Sequence, residues 1–484
     1  MVGVIIASGT IAQTTLPEFE HGELIIGYTS GASREKAVQE LNEAARRLKV
    51  RGDDVEDMRL QKIGTSALKV KIKLPTSVRG DAAKDSAFEL QLLRETADNI
   101  KRSDGRVLYA HPNWILRTNR SPPRVPLDVR PLEGWLRTQS VGDPGTPDDY
   151  AFVRGLHWSY SKLPVGINAV GAWKSVTGSK DVVVAVIDTG LVADHPDIVN
   201  SGNVITGYNF VSATGRGPDP RDPGLACIDA GETAPSWHGT LVAGIVGAAG
   251  SNNKRGITGI NWDVSVIPVR AVGTCGGSLV DIVDGMRWAA GLPVDGVPPN
   301  ERPADIINLS LGGVIPCTAE QAGLMIDALA AIRAAGTVVV VAAGNDGLDV
   351  NATTPAGCSG VISVAAADKD GRLGWYSNHG KVTIMAPGGD MKVKLAEFPA
   401  GVWSTIQTSP INPEGIEPEE GTSMAAPHVT GALALALAKH PEWRRKPELI
   451  ERKLISTAVA VANERCASPC GAGQLEAERL VNAP

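Results

Sequence analysis

The sequence predicts an α/β protein, a mostly parallel sheet with helices on both faces, preceded by a small α+β unit. Three observations carry this expectation. Continuous apolar runs such as Val182–Ile187 and Val338–Ala343 read as strands buried on both faces. Helical stretches rich in Ala and Gly separate these runs, the alternation of a parallel sheet. The first 118 residues instead show short strands interleaved with two amphipathic segments, and 484 residues leave room for more than one domain.

At the start, Val2–Ala12 is a short apolar run, with Thr10-Ile11-Ala12 placed for cleavage before Gln13. It lacks a basic leader and is short for a signal peptide. Residues 1–12 are therefore read as a truncated signal peptide, with a disordered tail as the alternative. Residues 22–118 form the α+β unit. Glu23–Tyr28 is a strand and Ser33–Leu48 a helix that Ser33 can cap. Met58–Ile63 and Ser66–Ile72 pair around Gly64-Thr65. Asp85–Ile100 is a second helix. Arg106–Ala110 is the last strand, followed by His111-Pro112-Asn113-Trp114. The order β-α-β-β-α-β is ferredoxin-like. Residues 119–150 are rich in Pro, Arg and Gly and read as an exposed linker, where proteolysis is expected.

Residues 151–484 hold the large domain. Its strands are Val182–Asp188, Ser265–Val272, Ala304–Leu311, Thr337–Gly344 and Val361–Ala366. Its helices are His238–Ala249, Leu279–Gly291, Ala319–Gly336 and one opened by Ser423. Binding sites in such sheets lie at the carboxyl ends of the strands. Asp188, Gly312-Gly313 and Asn345 fall there.

Composition narrows the function. The net charge of −6 and an aromatic content of 4% exclude a basic or stacking nucleic-acid platform. Residues 1–145 hold 22 basic and 19 acidic residues, and the remainder holds 25 and 34. The two parts thus carry +3 and −9, which favours their association weakly in salt. No run of eighteen apolar residues exists to span a membrane. Six cysteines, Cys227, Cys275, Cys317, Cys358, Cys466 and Cys470, all follow residue 226. None has C-x-x-C spacing, their even number suits disulfides, and fifteen pairings are open.

The chemistry gathers at four element ends. Asp188-Thr189-Gly190 ends a buried strand. Trp237-His238-Gly239-Thr240 opens a small-residue helix. Gly344-Asn345 ends another strand. Gly421-Thr422-Ser423-Met424-Ala425-Ala426-Pro427-His428 leads into the apolar run Ala432–Ala438. A helix N-terminus favours developing negative charge. Ser423 as nucleophile, His238 as base, Asp188 as its orienter and Asn345 as an oxyanion donor are what a serine hydrolase needs. An esterase of the α/β-hydrolase type is disfavoured, because Ala425 stands where its second elbow glycine belongs.

These four motifs, in this order, resemble the subtilisin-like serine proteases, in particular a secreted bacterial branch with extra disulfides. The resemblance runs from about Gly166 to the C-terminus. It implies a secreted serine endopeptidase with no catalytic cofactor, acting as a monomer on polypeptides. It implies that residues 22–118 are an inhibitory, folding-assisting propeptide, itself a partner, with maturation inside 119–150. Ser310, Leu311, Gly312 and Gly313 resemble the family's edge segment, which pairs with substrate as an added strand. The resemblance favours pairing cysteines in order, Cys227–Cys275, Cys317–Cys358 and Cys466–Cys470. Asp197 matches a family metal position, and Asp219 and Asp222 lie in a loop resembling an acidic calcium loop; turns of carboxylates and carbonyls suit structural calcium. Leu241 departs from the pattern, which usually has a second His there. His428 is read as structural.

Overall fold

The computed structural model describes residues 17–29, 59–63, 67–71, 82–103, 105–118, 147–162, 164, 166–228, 237–248, 256–395, 398–407, 415–466 and 468–484. The Val2–Ala12 run, the Ser33–Leu48 helix and most of the 119–150 linker lie outside these residues.

In the N-terminal unit, β1 (Phe19–Tyr28), β2 (Arg59–Ile63), β3 (Ala67–Lys71) and β4 (Val107–Thr118) form an antiparallel sheet ordered β4-β1-β3-β2. Helix α1 (Ala82–Ser103) packs against β1 and β4. Its buried residues Leu90, Leu93, Ala97 and Ile100 recur every three or four positions, the stripe that a helix on a sheet requires. The last strand runs much further than Ala110. It passes through His111–Trp114 to Thr118, because the large domain supplies partners that no local pattern records. Ile115 and Leu116 pair with β8 (Gly277–Ser278), and Arg117 and Thr118 pair with β10 (Leu311–Gly312), both antiparallel.

The large domain is built on seven strands in the order β13-β12-β11-β9-β5-β7-β6, every neighbouring pair parallel. They are β5 (Gly178–Asp188), β6 (Tyr208–Asn209), β7 (Asp263–Arg270), β9 (Ile306–Leu309), β11 (Val338–Ala342), β12 (Ile362–Ala367) and β13 (Ile384–Pro387). Alternate side chains serve two separate cores. Val182, Val184 and Val186 enter one and Val183, Ala185 and Ile187 the other; Val338 and Val340 are likewise separated from Val339 and Val341. That is why these strands are apolar throughout.

Helix α5 (Thr422–Lys439) crosses one face, packing on β5, β9, β11, β12 and β13. Its alternating Ala and Leu residues are buried as far as Leu437, so truncating Leu435 to Ala would cost about 2–5 kcal/mol. Helix α2 (His238–Gly247) packs beside α5. Helices α3 (Leu279–Ala289) and α4 (Ala319–Ala334) belong to the other core, which the N-terminal unit also joins. Two antiparallel strand pairs, Asp390–Leu395 with Phe398–Ala400 and Val402–Ile406 with Gly415–Glu419, were not foreseen from the sequence. Disulfides join Cys227–Cys275, Cys317–Cys358 and Cys466–Cys470.

Side chains of β4 bind backbone groups of α3 and α4. Asn113 Oδ1 accepts from Val280 N at 3.3 Å, in the first turn of α3. Helix α4 is irregular at Ala322. On either side of that break, Trp114 Nε1 donates to Gln321 O at 2.6 Å and His111 Nε2 accepts from Leu324 N at 3.4 Å. Burial lowers the His111 pKa to about 4, so the imidazole is neutral and can accept. Helix-end groups that water would otherwise have to satisfy are thus satisfied by the N-terminal unit.

Candidate active site

Asp188 is the last residue of β5, and His238 is the first of α2. Gly239 lets the two come together: a Cβ there would lie 2.1 Å from Gly190 O, so a side chain would force α2 away from the strand end. His238 Nδ1 donates to Asp188 at 2.8 Å to Oδ1 and 3.0 Å to Oδ2. Both residues are 1% exposed. This bond fixes the tautomer that leaves Nε2 as the basic nitrogen.

A second set of bonds holds the pair. Thr189 N donates to Asp188 Oδ1 at 2.7 Å, and Thr189 Oγ1 accepts from Gly239 N at 3.0 Å. The same hydroxyl donates to Asp222 Oδ2 at 2.6 Å. Burial raises the Asp222 pKa, opposed by the hydrogen bonds from Thr189 and Gly224 N. Thr189 and Asp222 therefore brace the imidazole-bearing helix. Sequence reading assigned Thr189 no part and gave Asp222 a different one.

Ser423 is the second residue of α5, after Gly421, whose φ of 152° closes the turn. Gly421 N donates to Gly388 O at 3.0 Å and to Tyr376 Oη at 3.1 Å, which fixes the approach to the helix. Pro427 has no N–H, so the Ser423 carbonyl loses its usual partner four residues on. Ser310 Oγ donates to that carbonyl at 2.8 Å instead, while Ser423 Oγ donates to Ser310 O at 2.9 Å. These reciprocal bonds join the start of α5 to the end of β9. Asn345 Oδ1 accepts from Thr422 N and Thr422 Oγ1, each at 2.9 Å. With its oxygen so held, the amide nitrogen occupies the other limb of the carboxamide.

Ser310 and Leu311 are fully buried, Gly312 is half-buried in β10, and Gly313 exchanges backbone bonds with Thr354 at 2.9 and 3.0 Å. The structure adds a strand the sequence reading missed. Gly277–Ser278 lies on the other side of residues 115–118, so that segment of β4 is held between two edges. The Gly276-Gly277 pair after Cys275 was the available signal, matching Gly312-Gly313.

The aspartates singled out for calcium are Asp197 and, in a separate loop, Asp219 and Asp222. Among the described residues, no three His, Cys, Asp or Glu side chains group as metal ligands. Asp197 Oδ2 accepts from Ile257 N at 3.0 Å, and Asp219 Oδ1 accepts from Arg221 N at 3.0 Å. Asp222 accepts from Thr189 and from Gly224 N. Their oxygens serve backbone donors and a hydroxyl, and Arg221 already places a guanidinium 3.5 Å from Asp194. Asp197 and the Asp219/Asp222 loop are two separate candidate positions, and each spends carboxylate oxygens on donors of the protein itself. His428 is buried in α5 with Nδ1 donating to Met424 O at 2.7 Å; burial lowers its pKa to about 4. It is a neutral core residue.

Residues 179–473 match the subtilase family, peptidase S8. An extracellular protease of Xanthomonas campestris is 33% identical over 445 residues, covering 87% of this chain and 71% of that one. An extracellular basic protease of Dichelobacter nodosus is 31% identical, covering 86% and 68%. Among solved structures, a protease of Pseudoalteromonas arctica is 39% identical with a TM-score of 0.62, over 70% of this chain and 99% of that one. Fervidolysin of Fervidobacterium pennivorans, 22% identical with a TM-score of 0.63 over 96% and 62%, shares the fold. This chain belongs to the subtilase family of serine peptidases.

Proposed function

We propose that the chain is a secreted serine endopeptidase made as a self-inhibited precursor, with Asp188, His238 and Ser423 as its triad. Ser423 Oγ attacks the substrate carbonyl as its proton passes to His238 Nε2. The C–N bond then breaks, and the leaving amine takes that proton. Water hydrolyses the resulting acyl-enzyme by the same route. Asp188 holds the imidazole and stabilises it when charged. The Asn345 amide and the Ser423 N–H donate to the oxyanion. No cofactor takes part.

The observation that carries this reading is the seat of residues 115–118. They occupy the place of a substrate strand, paired on one side with β8 and on the other with Leu311-Gly312, directly beside Ser310 and Ser423. Backbone pairing of this kind asks little of side chains and suits a broad endopeptidase. Residues 22–118 thus act as inhibitor and folding template, docked through Asn113, Trp114 and His111. In the ladder Thr118 stands opposite Leu311. Ser310 precedes Leu311, and its carbonyl receives the Ser423 hydroxyl. Continuing the sequence by one residue beyond Thr118, we assign the first cleavage to the Asn119-Arg120 bond. This register supports maturation at the start of the 119–150 linker. The three disulfides suit an oxidising compartment, and the relatives above are named extracellular; both support secretion.

The test is expression of the parent chain and Ser423→Ala. The parent should release a fragment ending at Asn119 and hydrolyse casein. Ser423→Ala should remain full length and inert. Casein hydrolysis by purified Ser423→Ala at the parent's rate would reject the assignment.

A further inference from the structure

Strand β8 is only two residues long, yet it forms one wall of the proposed substrate cleft. Its two ends are anchored differently. On one side Cys275, two residues before Gly277, is tied to Cys227. On the other side Ser278 caps α3 by accepting from Asp281 N at 3.2 Å. Asp281 and Asp284 follow on the first turns of that helix, 4% and 3% exposed. Arg216 bridges them, with Nη2 at 2.9 Å from Asp281 Oδ1 and 2.8 Å from Asp284 Oδ2. Ser212 N and Oγ add bonds to Asp281 at 3.0 and 2.7 Å, and the Arg216 guanidinium lies 5.7 Å from the Phe210 ring. Burial raises the Asp284 pKa while Arg216 opposes that shift.

We infer that Arg216 is a positioning residue for extended substrates: by bridging Asp281 and Asp284 it fixes the start of α3, and so the Gly277-Ser278 strand that pairs with the substrate backbone. This rests on the reading of β8 as a substrate strand. Two buried carboxylates three residues apart repel each other without a cation between them. Loss of the guanidinium should therefore shift the first turn of α3 and the strand leading into it. A planar fork can bond both carboxylates at once, whereas a lysine ammonium acts as a point charge. Arg216 touches neither Ser423 nor His238 in this arrangement, so its effect should depend on how much of the substrate reaches β8.

The experiment compares mature parent enzyme with Arg216→Lys, Arg216→Met and the double variant Arg216→Met/Asp284→Asn. Each is measured on a peptide with five residues before the scissile bond and on a single-residue ester, with active sites titrated. In the parent, kcat/KM should rise with peptide length; no such rise would overturn the inference together with the reading of β8 as a substrate strand, whereas a rise that Arg216→Met leaves intact would overturn the inference alone. Binding of the isolated 107–118 peptide supplies a second readout. For Arg216→Met, kcat/KM on the long peptide should fall about ten- to a hundredfold, the scale expected from misplacement by about 1 Å, with the ester unchanged. Arg216→Lys should fall in between. The double variant returns the cluster to the parent's net charge and removes the repulsion between the two carboxylates, so it should melt closer to the parent than Arg216→Met yet remain poor on the long peptide and bind the 107–118 peptide weakly. Equal losses on both substrates, or parent-like activity and peptide binding in Arg216→Met, would overturn the inference.

Discussion

Replacing Asn345 separates transition-state stabilisation from structural support. Asn345 Oδ1 accepts two bonds from Thr422, and Thr422 is 0% exposed. Asn345→Ala leaves that buried N–H without its acceptor, which costs about 1–3 kcal/mol of stability. It also removes the proposed donor to the oxyanion. In subtilisin, a member of the same family, loss of such a donor lowers kcat about 10²–10³-fold, and that range is carried over here. Little should change in KM, because the ground-state carbonyl uses the donor weakly. Asn345→Asp is the counterpart. It keeps an acceptor for Thr422, so the melting temperature should stay near the parent's, but it sets negative charge where the oxyanion forms. Its kcat should fall at least as far as that of Asn345→Ala. The assay is hydrolysis of a peptide anilide after active-site titration, alongside thermal melts. An unchanged kcat in both variants would refute Asn345 as the donor, whatever their stabilities.

Further outcomes follow from the buried histidines, the disulfides and the N-terminal unit. Burial lowers His157 to about 3 and His428 to about 4, below the ordinary value near 6.5. Their neutral forms are favoured on folding, so this stability is present above about pH 6.5 and is lost as pH falls towards 4 for His428 and towards 3 for His157. Both ring nitrogens of His157 lack a hydrogen-bond partner among the described residues; His157→Phe should flatten the acid side of a melting-temperature profile, and an unaltered slope would contradict this. The Cys227–Cys275 and Cys317–Cys358 bridges span 48 and 41 residues and the Cys466–Cys470 bridge only 4. Chain entropy assigns about 4 kcal/mol to each long bridge and about 2 kcal/mol to the short one, so paired Cys→Ser variants should melt in that order. Residues 13–118 supplied in trans should inhibit mature enzyme at micromolar concentration and raise the refolding yield of 146–484. Many non-local strand pairings make unaided folding slow, and equal yields without inhibition would reduce the unit to an unrelated accessory domain.

Much of the large domain was legible because its physics is local. Strands such as Val338–Ala342 are buried on both faces and so are apolar throughout. The helices beneath them are small-residue runs opened by His238 and Ser423. What escaped detection depends on distant partners. Strand β4 was read as ending near Ala110, because only the pairing of Ile115–Thr118 with Gly277–Ser278 and Leu311-Gly312 extends it. The consequence of Pro427, a Ser423 carbonyl bonded by Ser310, depends on a contact 113 residues away. Asp197 and the loop pair Asp219 and Asp222 were singled out for calcium by resemblance to the family. The bonds these carboxylates accept, from local backbone donors and from Thr189, depend on the folded contacts and were not readable from the sequence.

The central claim is that Ser423 cleaves the chain's own linker from the strand it holds between β8 and β10. Intact-mass analysis with N-terminal sequencing, over a time course of refolding, tests it most directly. The parent should yield a first new N-terminus at Arg120 at a rate independent of protein concentration, and Ser423→Ala should stay intact throughout. Appearance of the Arg120 terminus in purified Ser423→Ala at the parent's rate would contradict it.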